Sequence, residues 1–263
     1  MNLDLTEKNA LVCGSTQGIG RACAHELASL GARVTLLARN EAALAKVADE
    51  LAGGSAKAHD FLCADFAQPQ AVQNTVTKYL QKSKTHFHIL VNNTGGPPPG
   101  PVAEAKLTDF FEALERHLAC NHLLAQTLLP GMQQEKYGRI VNIISTSVKQ
   151  PIKGLGVSNT TRGAVASWAK TLAGEVGRFG ITVNNVLPGT TQTGRLDALI
   201  RAKAQKAGVP EQQIVREMEV EVPAGRIGVP EEVAAAVAFL ASPAAGYING
   251  INLPVDGGRT LCL

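Results

Sequence analysis

The chain has 263 residues, 45% of them apolar and 18% charged, with a formal net charge of +3. That length can bury a large core without metal or disulfide staples, and this balance of apolar and charged residues excludes intrinsic disorder. Lys and Arg are spread along the chain, which excludes the clustered basic footprint of a nucleic-acid binder.

No apolar run is long enough to span a membrane. The opening MNLDLTEKNALV lacks a basic stretch followed by an apolar one, so a cytoplasmic location is expected. Five cysteines (Cys13, Cys23, Cys63, Cys120, Cys262) form no C-x-x-C pair and read as reduced, partly buried thiols.

Strand-like and helix-like segments alternate from end to end. NALVCG predicts a first strand, followed by the helical period of GRACAHELASLGA with Gly31 as its stop. RVTLLAR is a second strand, NEAALAKVADELAGG a helix closed by glycines, and KAHDFLCAD a third strand. PQAVQNTVTKYLQKS is a helix with Pro69 near its start, and FHILVNNTGG a fourth strand. LTDFFEALERHLACNHLLAQTLLPGM reads as one long helix with Pro130 near its end. GRIVNIIST is a strand, SNTTRGAVASWAKTLAGEVGRFG a helix ending near Gly180, and ITVNNVLPG a strand; GYINGINLPVDGG contains the last one. The strands are apolar runs rather than alternating patterns, as a parallel sheet covered on both faces requires. The expected fold is therefore a single doubly wound α/β domain over residues 1–263, with a mostly parallel sheet of about seven strands. The polar, helix-prone stretch from Arg195 to Val222 interrupts the rhythm and is expected to be a flap over the site.

CGSTQGIGRA follows the first strand and opens the first helix. Gly14, Gly18 and Gly20 let the backbone approach a pyrophosphate, and the helix N-terminus offers free N–H groups and a positive dipole end. In this context the loop points to a dinucleotide site that also uses Ser15, Gln17 and Ile19. An NAD-reading carboxylate would lie about 20 residues on. That place reads Ala38-Arg39-Asn40, and the Arg39 guanidinium suits a 2′-phosphate, so NADP is favoured over NAD. Asp65, followed by Phe66, ends the third strand where it can accept a hydrogen bond from adenine.

These motifs resemble those of the short-chain dehydrogenases/reductases of the 3-oxoacyl-carrier-protein reductase type, over nearly the whole chain. GSTQGIG resembles the family's glycine motif, with Cys13 where Thr is usual, and NNTGG at 92–96, with Asn93 and Gly95, resembles its NNAG motif. NNVLPGTTQT, with Pro188, Gly189, Thr191 and Thr193, resembles the segment that grips the nicotinamide end, and VDGG at 255–258 the terminal signature. The resemblance implies a Rossmann-type fold, hydride transfer between NADP and a small carbonyl or alcohol substrate, and a homotetramer or homodimer.

The family's catalytic set is Asn, Ser, Tyr and Lys. Asn121 matches the asparagine and Ser145 the serine; without a gap, SNTTRGAV then lies where the family has YSASKAAV. Ser158 thus stands at the tyrosine's place and Arg162 at the lysine's, and Tyr79, Tyr137 and Tyr247 are all remote from it. A serine hydroxyl is a far weaker acid than a phenol of pKa near 10, and its oxygen stops roughly 4 Å short of where a phenol oxygen would be. Arg162 keeps the positive charge and can still hydrogen-bond the nicotinamide ribose, which makes it a cofactor-binding candidate as well; it stays protonated, so it stabilises an oxyanion without relaying protons. Three readings remain open at this point. The chain is an NADP-dependent oxidoreductase whose proton comes through water or from Lys149 or Lys153; or it binds NADP without redox chemistry; or it catalyses a lyase or isomerase step. The rim NTGGPPPGP at 93–101 favours an intact pocket. His86 and His88 share a strand face but lack a third ligand, so no metal is expected, and no G-x-S-x-G elbow marks a hydrolase.

Overall fold

The computed structural model describes residues 1–53 and 58–262. The apolar runs become strands β1 (Asn9–Cys13), β2 (Arg33–Ala38), β3 (Asp60–Cys63), β4 (Ile89–Asn92), β5 (Gly138–Ile143), β6 (Ile181–Pro188) and β7 (Asn252–Val255). Among the described residues they form one sheet in the order β3-β2-β1-β4-β5-β6-β7. Every pairing is parallel, so the sheet is wholly rather than mostly parallel.

The period of two along each strand divides the core. Ala10 and Val12 of β1 face one side of the sheet, where they pack with Leu27 of α1 (Gly18–Ser29), Leu44 of α2 (Glu41–Ala52) and Val237 of α9 (Pro230–Ala241). Leu11 and Cys13 face the other side, against Val76 of α3 (Pro69–Ser83), Leu124 of α5 (Cys120–Gln134) and Ala173 of α6 (Gly156–Val176). Helices cover both faces, which is why the strands carry no polar alternation.

Several boundaries differ from the sequence reading. The third strand pairs only over 60–63, and its expected first residue, Lys57, lies outside the described residues. The fourth closes at Asn92, because the Asn93 side chain turns away to donate to the carbonyls of Cys13 and Gly14. The expected long helix is α4 (Leu107–Leu114) and α5 joined by a π-helical turn over Glu115–Ala119, and it continues past Pro130. α6 ends at Val176, and a 3-10 turn carries the chain to Gly180, whose φ of 75° is left-handed. The PEEVAAAVAFLA segment, α9, was not anticipated; it packs beside α1.

The stretch after β6 folds as α7 (Gly194–Ala207) and α8 (Glu211–Val220). Leu196, Ile200, Ile214 and Met218 give this pair an apolar cluster of its own.

Candidate active site

The site gathers where the chain leaves the C-terminal ends of β1, β4, β5 and β6. In an open parallel sheet the crevice lies beyond these ends, at the point where strand order reverses. Here that point falls between β1 and β4.

After β1, Gly14 and Gly18 adopt φ of 58° and 52°. A Cβ at Gly14 would lie 2.7 Å from the Asn93 amide nitrogen, and one at Gly20 would lie 2.1 Å from the Gly14 carbonyl oxygen. The loop is therefore tight and closed to side chains. Gln17 is the N-cap of α1 but its side chain makes no cap hydrogen bond, so the first-turn N–H groups remain available to an anion. Ser15 is fully buried and its hydroxyl accepts from the Leu37 N–H at 3.1 Å, which ties the loop to β2. Ile19 packs on the core. Thr193, from the far side of the sheet, sits over this loop: its Cγ2 would be 3.1 Å from a Cβ on Gly18. These features fit a dinucleotide, since the cradle is filled by backbone alone and a Cβ would occlude it.

Arg39 is exposed at the end of β2, and Asn40 caps α2 by accepting from the Ala43 N–H at 3.0 Å. Asp65 accepts from the Ala67 N–H, and the Phe66 carbonyl accepts from the Cys120 thiol. Gly95 is exposed, with open space where its side chain would be. Pro188 ends β6. Gly189 lies against Asp256, where a Cβ would come within 2.6 Å, and Thr191 donates to the Gly189 carbonyl at 3.2 Å.

The catalytic-position residues come from three elements. Ser145 follows β5 and is half-buried; its hydroxyl accepts from the Ser147 N–H at 3.1 Å, which leaves its own proton free to donate. Asn121 is buried at the start of α5, directly after the π-helical turn, a distortion that recurs at functional sites. Ser158 and Arg162 lie one turn apart on α6, both 8% exposed. Backbone hydrogen bonds between Gly100 and both Gly154 and Gly156 stitch the proline-rich rim to the start of that helix. Asn159 fastens the preceding loop by donating to the Ile152 carbonyl at 2.9 Å. Lys153, in that loop, is exposed; Lys149 is half-buried at the end of the 3-10 turn Thr146–Val148.

Arg162 donates to the Ile143 carbonyl at 2.9 Å, while its Nε is buried with no partner. Burial, helped by the nearby charge of Arg195, pushes its pKa from 12.5 down to about 10, so it remains a cation at neutral pH. His117, in the π-helical turn, is buried, and burial together with the charges of Arg162 and Arg195 holds it neutral with a pKa of about 2.

Neither His117 nor Arg195 was anticipated. Arg195 had a signal: a cation in the first turn of a helix opposes the dipole. Also unanticipated is a row of asparagines across the sheet. Asn92 donates to Asn142 at 2.9 Å, Asn142 to Asn185 at 2.9 Å, and Asn185 to Asn252 at 2.8 Å. His88 is spent structurally, its Nδ1 accepting from the Asn9 N–H at 3.0 Å. The five cysteines are all free, Cys13, Cys23 and Cys120 buried. Among the described residues no helix is long and apolar enough to cross a membrane.

Comparison with known proteins agrees with this geometry. Residues 14–260 match the family model described as enoyl-(acyl carrier protein) reductase. A 3-oxoacyl-[acyl-carrier-protein] reductase FabG of Haemophilus influenzae is 35% identical over 254 residues, covering 97% of this chain and 98% of that protein. A chloroplastic tropinone reductase homolog of Arabidopsis thaliana is 33% identical, covering 98% of this chain and 77% of that protein. Among solved structures, L-sorbose reductase of Gluconobacter frateurii, complexed with NADPH and L-sorbose, superposes with a TM-score of 0.94 at 30% identity, both chains being covered in full. The family model spans nearly the whole chain, and the FabG and the sorbose reductase match it over essentially their full length: the chain belongs to the short-chain dehydrogenase/reductase family of NAD(P)-dependent oxidoreductases.

Proposed function

We propose that the protein is an NADP-dependent carbonyl reductase in which the proton reaches the substrate oxygen through water held at Ser158, not from a tyrosine. The observation that carries this reading is Arg162: it is buried, cationic, and one helical turn from Ser158. A decayed site has no reason to keep an incompletely bonded cation in its interior, where desolvation is costly.

Bound NADPH would supply a hydride to the carbonyl carbon, and with one solvent proton on the oxygen the products are the alcohol and NADP⁺. The Ser145 hydroxyl, polarised by the Ser147 N–H, donates to the substrate oxygen and orients it. Arg162 stabilises negative charge developing there. The shortened side chain at 158 leaves room for the water, which Ser158 positions. We assign the glycine loop, Thr193 and Thr191 to the pyrophosphate and nicotinamide side, Asp65 and Phe66 to the adenine side, and Arg39 to a 2′-phosphate. NADP is favoured because no carboxylate stands at Ala38-Arg39-Asn40, and because the sorbose reductase and a gluconate 5-dehydrogenase-like structure from Beutenbergia cavernae, 32% identical, carry NADPH and NADP. The α7–α8 pair is assigned as the flap. A cytoplasmic homotetramer or homodimer is part of the same proposal, with the exposed Leu107 and Phe111 of α4 available for subunit contact.

The test titrates the protein with NADPH and NADH by fluorescence, then screens carbonyl compounds for NADPH oxidation. NADPH binds more tightly than NADH, wild type turns over, and Ser145→Ala slows it. If only the Ser158→Tyr/Arg162→Lys variant turns over, the reading is wrong.

A further inference from the structure

We propose that Arg195 latches the flap: while its guanidinium rests on the rim at Gly96 and Pro97, α7 and α8 stay shut over the crevice, and the latch must open before cofactor is exchanged. The inference rests on the reductase reading of this site and deepens it, by naming what holds the site closed.

The flap is a body of its own. Its apolar cluster, including the partly buried Leu199, Val209, Val215 and Ile227, draws every member from between Leu196 and Ile227. Among the described residues nothing from the sheet or its covering helices joins that cluster. The chain enters and leaves this body through one stem, where Thr191 bridges to Gly228. There the Gln192 N–H donates to the Gly228 carbonyl at 2.8 Å, and the Gly228 N–H to the Thr190 carbonyl at 3.0 Å. The trailing side is fastened at three further points. Arg259 pairs with Glu221, the Ala224 N–H donates to the Gly257 carbonyl at 3.0 Å, and Arg226 forks onto Glu232 of α9.

The leading side is held differently. Arg195, in the first turn of α7, reaches across the crevice and donates to the Pro97 carbonyl at 3.0 Å. It crosses Gly96 so closely that a Cβ there would lie 2.5 Å from its Nη1. The rim cannot follow a moving flap. The Gly100 N–H donates to the Gly154 carbonyl at 2.7 Å, the Gly156 N–H donates to the Gly100 carbonyl at 3.0 Å, and Val102 lies where a Cβ on Gly156 would come within 2.6 Å. Among the described residues Arg195 has no salt-bridge partner, and it is exposed. A lone hydrogen bond at the surface exchanges readily for one to water. This contact therefore opens and closes where the fastened trailing side does not.

Two residues before Arg195, Thr193 caps α7 by accepting from the Leu196 N–H at 3.3 Å, and its methyl group lies over Gly18 of the glycine loop. One end of α7 thus touches the cofactor loop at one point and the rim at another. A flap pivoting about its fastened side lifts both points together, so the rim contact governs how long a cofactor stays. Lids that close in this way often set the rate of release.

The test is hydrogen–deuterium exchange over residues 194–220, with stopped-flow release of NADPH, in wild type, Gly96→Ala, Arg195→Gln and the double variant. Gly96 is not in the left-handed region, and its Cβ would meet only the far end of a flexible side chain, so alanine displaces the guanidinium without straining the backbone. In the protein alone, each single variant speeds amide exchange in the flap about tenfold, the factor that one hydrogen bond to a charged group supplies. NADPH release quickens by a similar factor. Because both substitutions remove one contact, the double variant matches the singles instead of multiplying them. Flap exchange unchanged in the singles, effects that multiply in the double, acceleration that spreads to β1 and β4, or NADPH release unmoved while flap exchange rises each overturns the proposal. Failure of wild type to bind NADPH sinks the reductase reading instead, and exchange in the protein alone still decides whether the latch exists.

Discussion

Replacing Arg162 by methionine separates what the cation does for the fold from what it does for the site. In the folded protein the guanidinium pKa falls from 12.5 to about 10, chiefly through burial. At 1.36 kcal/mol per pH unit, that corresponds to roughly 3 kcal/mol of burial cost at neutral pH. Against it stands the hydrogen bond to the Ile143 carbonyl, a charged bond worth about 1.5–3 kcal/mol. Arg162→Met removes both, and methionine fills much of the same volume. The expected net effect on the cofactor-free protein runs from zero to a gain of ~2 kcal/mol. For a chain of this size that is a Tm unchanged or raised by up to about 5 °C. Activity should fall by about 10²-fold or more, the scale of losing one preorganised oxyanion-stabilising group. Thermal unfolding without cofactor and steady-state kinetics on the same preparation make the assay. A Tm lowered by more than about 5 °C would refute the reasoning, because it would make Arg162 a structural residue like Arg139.

Gly20→Ala should abolish NADPH binding and lower Tm, because its Cβ would lie 2.1 Å from the backbone oxygen of Gly14; fluorescence titration and melting check the two effects, and unimpaired binding would disprove the cradle. Glu232 contributes to the acid limb of stability. Its carboxyl is held down at about 2, first by hydrogen bonding to Arg226 and then by the Val229 N–H, against an ordinary value of 4.5. A depressed carboxylate contributes stability above its unfolded pKa and loses it as pH falls through the folded one. The Tm gap between wild type and Glu232→Gln should therefore hold steady above about pH 4.5 and vanish toward about pH 2; a gap independent of pH would contradict the assignment.

The alternation of elements was legible because each strand buried on both faces leaves an uninterrupted apolar run and each covering helix leaves a 3.6-residue period. The glycine loop was legible because only backbone fits against Asn93 and Gly14. Ser158 and Arg162 were placed by spacing from Ser145 alone, and the structure sets both on one buried face of α6. The π-helical turn before Asn121 left no mark, since widening one helical turn changes neither composition nor the polarity of its neighbours. Arg195 was hidden for a different reason: its partners, Gly96 and Pro97, lie about a hundred residues earlier and contribute backbone only. α9 escaped notice because its apolar residues run almost all round, which blurs the periodic signal.

The row of asparagines has a consequence for how the sheet assembles. Apart from Arg139, Thr182 and their asparagines, β4, β5 and β6 are apolar, so hydrophobicity alone distinguishes poorly between settings of one strand against its neighbour that differ by two residues. Asn92, Asn142, Asn185 and Asn252 occupy mutually opposite positions in successive strands. Any slip would strand several carboxamides in a dry interior, at about 1–3 kcal/mol for each group left unpaired. The four amides act as an alignment key. They distinguish one correct setting of the strands from neighbours that hydrophobicity alone would accept, and so fix where Ser145 and Pro188 emerge relative to each other at the strand ends.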